Sequence, residues 1–181
     1  MITAKNYKVS PDKKKIKNLY HTAFPKEERL PWWLLRLWNG SGLADITAYY
    51  EADTFCGFTF SASRGEILFV VFFAVADGLR GQGYGSAILS YLKEENPEKT
   101  ILLNVELLDK NAENNPQRIR RMAFYKKNGI YDSGYNVREV GGAFRVLGSK
   151  PEWAPRAFRR VYQKLSFGLW RPPITWVGKY E

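Results

Sequence analysis

Asp77-Gly78-Leu79-Arg80-Gly81-Gln82-Gly83-Tyr84-Gly85-Ser86 joins two stretches of opposite character. Before it, residues 66–75 form a β-branched and aromatic run without polar alternation, the pattern of a central strand buried on both faces. After it, Ile88, Leu89 and Leu92 recur at helical spacing, and Asn96-Pro97 ends the helix predicted over 83–95. Glycines at alternate positions 81, 83 and 85 let the backbone turn tightly with its N–H groups pointing one way. The helix start adds unpaired N–H groups and the positive end of its dipole. Strand, turn and helix together make a cradle for a pyrophosphate, with Arg80 as a charged donor at its mouth.

The spacing separates this cradle from two common ones. A P-loop closes on Gly-Lys-Ser/Thr, whereas Gly85-Ser86-Ala87 carries no lysine. A dinucleotide fingerprint needs Gly-x-Gly-x-x-Gly, and here the third glycine comes one residue early. A glycine-rich turn with no ligand is the alternative that the loop alone leaves open.

Outward from the loop, strands and helices alternate. Residues 5–9 form a strand candidate, and Ser10-Pro11 reads as N-cap and first helical residue. The helix that follows carries Ile16, Leu19, Tyr20 and Ala23 on one face and ends at Pro25. A second, aromatic-rich helix covers 27–38 and closes at Asn39-Gly40. Its tryptophans suit a core or a cleft wall. Glu27, Glu28 and Trp32 are candidates for binding a cationic substrate, although an acidic pair in a first helical turn is the commoner role. Residues 46–50 and 54–62 form a hairpin, and 100–108 a second buried strand. Asn115-Pro116 opens a helix to Lys127, which Asn128-Gly129 stops in left-handed conformation. Residues 137–140 and 143–147 pair over Gly141-Gly142, and 155–164 form a tail helix. The expected architecture is α/β (α+β), a mixed sheet flanked by helices.

The bulk numbers fit this. The 181 residues suit one domain that needs no covalent staples. Cys56 is the lone cysteine and His21 the lone histidine, so no internal disulfide and no structural zinc site is expected, and a reducing, cytoplasmic setting follows. Cys56 reads as a buried thiol rather than a nucleophile. The first residues hold no apolar stretch of signal-peptide length, and the longest apolar run, 67–76, falls short of the roughly 20 residues that span a bilayer. The net charge of +10 fits a solvated surface, an anionic ligand or nucleic acid.

Two motifs in order carry a resemblance. Arg80, Gly83 and Gly85 after an apolar strand resemble the Arg-x-x-Gly-x-Gly of motif A of the GNAT superfamily, the acetyl-coenzyme A-dependent N-acetyltransferases. Ala123-Phe124-Tyr125-Lys126-Lys127-Asn128-Gly129-Ile130 resembles its motif B. The likeness runs over residues 7–147, leaving 148–181 as a C-terminal helical extension of a single domain. It implies a twisted mixed sheet of about six to seven strands with about four helices, its two central parallel strands at 66–75 and 100–108 splaying apart. It implies acetyl-CoA as co-substrate and no metal. The diphosphate would sit on Arg80, Gly81, Gln82, Gly83, Tyr84, Gly85 and Ser86, and the pantetheine arm would pair with the backbone of Phe73 and Val75.

The implied chemistry is direct attack of an amine on the thioester. The family's general acid maps onto Tyr125, a phenol able to protonate the leaving thiolate. The alternative for Tyr125 is an ordinary buried aromatic. A backbone N–H near Val75 would hold the carbonyl oxygen. Glu106 is the candidate base: a carboxylate in an apolar strand is costly unless paired or wet, and desolvation makes carboxylates better bases. The competing role for Glu106 is an ion pair with Arg120 or Arg121, and Asp109 is the second choice. Three departures stand out. Val70, Val71 and Phe72 occupy the place of a glutamate that many members carry. Arg118 replaces the asparagine that opens motif B, and Ile130 its usual phenylalanine. Arg118 could meet a coenzyme A phosphate instead.

The acceptor is left open as a small-molecule or a protein or peptide amine, and the assembly as monomer or homodimer, with no membrane association. Two other functions compete. One is a nucleic-acid-binding module built on Arg156, Arg159, Arg160 and Lys164 with Trp153, Phe158, Tyr162 and Trp170 interleaved. It lacks any RNP-type or helix-turn-helix pattern, and the aromatics suit docking of the tail better. The other is a coenzyme A-binding domain without catalysis.

Overall fold

The computed structural model describes residues 1–139 and 142–180. The chain packs as two compact units, Met1–Ser63 with Val70–Pro97, and Arg64–Phe69 with Glu98–Glu181.

In the first unit, β1 (Ile2–Asn6), β2 (Asp45–Glu51) and β3 (Thr54–Arg64) pair antiparallel, and the later part of β4 (Ile67–Val75) follows β3. The first strand lies three residues earlier than its expected start because it registers on β2, Ile2 opposite Glu51 and Asn6 opposite Thr47. Helix α1 (Lys13–Ala23) buries Ile16, Leu19 and Tyr20. Ser10 is not its N-cap. Asp12 holds that place, and Ser10 Oγ instead accepts the Asp12 N–H and bonds Tyr50 Oη. Tyr20 sits among the rings of Phe24, Phe58 and Phe72 at centroid distances of 5.8, 6.3 and 5.1 Å. Burying rings of this size supplies about 1.5–3 kcal/mol each.

The aromatic helix α2 (Trp32–Ser41) starts after Pro31 and runs through Asn39-Gly40, the expected stop. It continues because the Asn39 side chain turns inward. There its Oδ1 accepts the Ile46 N–H at 2.9 Å and an Asn6 amide N–H at 3.2 Å, and a left-handed Gly42 ends the helix instead. Helix α3 (Tyr84–Glu94) turns Ile88, Leu89 and Leu92 inward.

In the second unit, the start of β4 lies beside β5 (Thr100–Glu106), with the Thr100 N–H donating to Glu66 O at 2.7 Å. Helix α4 (Asn115–Lys127) ends at Asn128 with Gly129 left-handed at φ 70°. Strand β7 (Gly142–Gly148) pairs antiparallel with β5 and with β6 (Tyr131–Glu139). Of the expected hairpin turn, Val140 and Gly141 lie outside the described residues. Helix α5 (Pro155–Leu165) buries Phe158, Val161, Tyr162 and Leu165, a strict helical stripe. The aromatics of the tail pack on one another and on Phe69, so they serve as core rather than as a stacking platform. A short β8 (Ile174–Trp176) adds to β6. Gly134, at φ +81°, makes room for it: a Cβ there would meet the Trp176 ring at 2.1 Å.

Arg145 is the largest fully buried side chain. Asp132 receives it through two hydrogen bonds, at 2.6 and 2.7 Å, and Gly178 O accepts a third. The Tyr180 ring stacks over the guanidinium at 4.1 Å, so this pair fastens the tail to β6 and β7. Hydrogen bonding orders the strands β1-β2-β3-β4 in the first unit and β4-β5-β7-β6-β8 in the second. Among the described residues there are eight strands and five α-helices, one or two strands and one helix more than expected, the surplus strand being β8.

Candidate active site

The glycine-rich turn belongs to the first unit. At the end of β4, Phe72 and Ala74 are buried while Val71, Phe73 and Val75 are half-buried. The strand's β3 side is held by the Ala76 N–H to Cys56 O at 2.9 Å, and Gly57 lets the two backbones close: a Cβ there would lie 2.3 Å from Ala74 O. A single 3-10 turn, Asp77–Leu79, then leads to Arg80. Gly81 and Gly83 are left-handed, at φ +77° and +89°. A Cβ added to either would meet nothing within 4 Å, so both face open space. The α3 ladder begins with the Ala87 N–H on Gly83 O, which leaves the N–H groups of Tyr84, Gly85 and Ser86 ahead of it.

Side chains brace the turn from behind. Gln82 donates to Gly78 O at 2.8 Å, and the Tyr84 hydroxyl donates to Glu51 Oε2 at 2.9 Å. That bond, with the Met1 ammonium, holds the Glu51 carboxyl below its usual range. Arg80 pairs with Asp77 at 2.7 Å and donates through Nε to Val75 O at 3.4 Å. Both charged groups are more than half exposed, so the pair is worth at most about 1 kcal/mol and yields readily to a stronger anion.

The proton-handling candidates belong to the second unit. Tyr125 on α4 is buried, and burial pushes its phenol up to about 12, with Arg121 pulling back weakly. Among the described residues, no group hydrogen-bonds its hydroxyl. Glu106 takes the ion-paired role. Arg118 reaches its Oε1 at 3.1 Å and Arg121 its Oε2 at 2.9 Å, while Asn114 adds a bond at 3.0 Å. Arg121 matches the expectation, and Arg118 appears in place of Arg120. Arg118 is thereby committed, since it also donates to Asn114 Oδ1 and to Leu107 O, at 2.8 and 2.5 Å. Asp109 caps a local turn by accepting the Asn111 N–H at 2.9 Å.

A third polar group joins residues that no local sequence pattern links. Asn104 donates to Glu139 Oε1 at 2.5 Å and to the Tyr162 hydroxyl at 2.8 Å, and Tyr162 donates to the same carboxylate oxygen. Burial pushes the Glu139 carboxyl up, against the pull of its two donors, and raises the Tyr162 phenol as well. Its one trace in the sequence is Asn104, a polar residue inside an apolar strand.

Of the proposed substrate contacts in the first unit, Glu27 and Glu28 lie in a 3-10 turn, Lys26–Glu28. Trp32 packs its ring against Tyr7 and Tyr20, so it is a wall rather than a free face, while its neighbour Trp33 is exposed. Among the described residues, no group of three His, Cys, Asp or Glu could hold a metal ion, and no helix is long and apolar enough to cross a membrane.

The sequence pattern of the acetyltransferase (GNAT) family matches residues 13–130, more than half of the chain. The chain belongs to this family. A GNAT fold is likewise what solved structures share with it. A GNAT-family protein from Bacteroides thetaiotaomicron superposes with TM-score 0.72 at 23% identity, covering 93% of this chain and 99% of that one. Aminoglycoside 6'-N-acetyltransferase complexed with coenzyme A gives 0.62 at 16% identity, over 86% and 99%. The ribosomal-protein-S18-alanine N-acetyltransferase from Escherichia coli gives 0.54 at 17%, over 85% and 96%. A comparison with curated protein sequences finds no match. In this GNAT chain the motif A Gly83 is left-handed, the motif A Gly85 lies in the first turn of α3, and the motif B Tyr125 is buried.

Proposed function

We propose that this GNAT protein is a cytoplasmic N-acetyltransferase, working as one domain, that moves the acetyl group of acetyl-CoA to an amine. The observation that carries the reading is the turn at residues 80–86, with two left-handed glycines opening on empty space and three helix N–H groups ahead of the ladder. Such a turn suits a diphosphate. Coenzyme A is bound in the aminoglycoside acetyltransferase with which the chain shares its fold. Arg80 would exchange Asp77 for a phosphate, and the backbone of Phe73 and Val75 would hold the pantetheine arm once Arg80 releases Val75 O.

In the reaction, the amine nitrogen bonds to the carbonyl carbon and loses an N–H proton, the carbon–sulfur bond breaks, and the sulfur takes a proton. We assign that proton to Tyr125, which burial keeps in its donor form at neutral pH. Glu106 offers its lone pairs to two guanidinium groups, so its suggested part is to fix α4 against β5 rather than to meet the amine. The acceptor is an amine on a small molecule or on a protein or peptide. Glu27, Glu28 and Trp32 are retained as its outer contacts. The free thiol of Cys56 accords with a reducing compartment.

Calorimetry with acetyl-CoA, followed by a thiol-release screen over an amine panel, tests this. Saturable binding and amine-dependent thiol release are expected. Absence of binding at millimolar acetyl-CoA ends the reading, and binding without release for any amine reduces it to a coenzyme A-binding domain.

A further inference from the structure

The second unit holds a polar cluster that is short of donors. With Glu139 ionised, the side chains of Asn104 on β5, Glu139 at the end of β6 and Tyr162 on α5 bring three N–H and O–H protons among them. Their hydrogen bonds use these protons within the cluster, two on Glu139 Oε1 and one on the Tyr162 hydroxyl. The acceptors outnumber them. Asn104 Oδ1 is buried with no hydrogen-bond partner. Among the described residues, nothing donates to Glu139 Oε2 either. A buried orphan acceptor costs about 1–3 kcal/mol, and a desolvated carboxylate costs more.

The shortage defines what would relieve it. A water molecule supplies donors but no charge. A metal ion needs several ligands, and among the described residues no group of three His, Cys, Asp or Glu could hold one. A primary ammonium brings three N–H donors and a positive charge in a small volume.

We propose that Asn104 Oδ1 and the Glu139 carboxylate seat the primary ammonium of the acceptor, and that Glu139 takes its proton. One N–H bond breaks, its electron pair stays on nitrogen, and the proton forms the O–H bond of the Glu139 acid. Tyr162 is a positioning residue that fixes the carboxylate through Oε1 and leaves Oε2 for the ligand. This deepens the N-acetyltransferase reading and rests on it. The groups acting on Glu139 are Asn104 from β5 and Tyr162 from α5, and the upward push of burial outweighs both of their bonds.

The test needs neither turnover nor acetyl-CoA. The Glu139 carboxyl is titrated by carbon-13 NMR, assigned with Glu139→Gln, in n-butylammonium and in tetramethylammonium at equal ionic strength. The two cations carry the same charge, but only the first has N–H donors. n-Butylammonium is expected to lower the titration midpoint and tetramethylammonium to leave it in place. Tyr162→Phe should keep the response and Asn104→Ala should lose it. No shift with n-butylammonium, or equal shifts with both cations, overturns the proposal even if acetyl-CoA binds. With any amine that turns over, Glu139→Gln should lower kcat/KM by about 10²–10⁴-fold and remove the ascending limb of its pH profile. An unchanged limb also overturns it.

Discussion

Tyr125 and Gly83 show at the scale of one residue what the turn and the phenol are worth. Tyr125→Phe keeps the buried ring and removes only the hydroxyl, which has no partner among the described residues. It should therefore cost about 10²–10³-fold in kcat, read in the thiol-release assay, with acetyl-CoA affinity unchanged by calorimetry. Burial raises this acid to about 12, so it stays protonated through neutral and moderately alkaline pH. No descending limb from Tyr125 is expected in kcat below that value, and a limb near pH 8 that vanishes in the phenylalanine variant would refute the assignment. Gly83→Ala places a methyl group at φ +89°, a strain of about 1 kcal/mol, in a space that no protein atom fills. Thermal melting should fall only slightly while acetyl-CoA affinity falls at least tenfold. The left-handed turn and the buried phenol are legible in the sequence because glycine spacing and a motif tyrosine constrain backbone and packing directly. Glu106 is only half legible. A carboxylate in an apolar strand announces a partner, but which arginine reaches it depends on the phase of α4, and that phase selects Arg118 and Arg121 over Arg120.

Elements are held here by a few buried polar side chains, and two of them make stability predictions. Asn39 ties α2 to β1 and β2, so Asn39→Ala orphans the Ile46 N–H and should cost about 1–3 kcal/mol in denaturant unfolding. Asp132 answers the buried guanidinium of Arg145. Burial alone would raise its carboxyl, but the Arg145 hydrogen bonds and the N–H groups of Gly134 and Tyr180 outweigh burial and leave it below the usual range. The folded value thus lies under the unfolded one, near 3.9, and the stabilisation is complete above that value and lost as pH falls through the folded value. Melting temperature followed from pH 6 to pH 2 should drop in wild type more steeply than in Asp132→Asn. That variant should already lose about 3–5 kcal/mol at neutral pH, because Arg145 is left without its counter-charge. Asn39 misleads a reader of the sequence, since Asn-Gly is a common helix stop and only the inward turn of the side chain reverses it. The strand β8 is hidden for a related reason: three residues between a proline pair and a glycine have no periodicity to show, and they become a strand only by pairing with β6.

For the molecule as a whole, the legible part is the order of strands and helices, because long apolar runs and glycine punctuation fix type before tertiary contacts act. The polar trio of Asn104, Glu139 and Tyr162 is illegible because its members are 35 and 58 positions apart from Asn104 in the chain, and no local spacing links them. The net charge of +10 acts at this scale too. Acetyl-CoA is polyanionic, so its association rate should fall as salt rises from about 0.05 to 0.5 M while dissociation changes little, a split that stopped-flow binding resolves. A rate indifferent to salt would mean that the excess charge lies away from the ligand's approach. The bracing of the glycine turn by Gln82 and Tyr84 has a further consequence for where affinity resides. A mould already cast spares its guest the entropy of shaping it. A small fragment such as 3',5'-ADP, with no thiol arm, should then be captured with little heat-capacity change, and fragment-based ligand building could start from it.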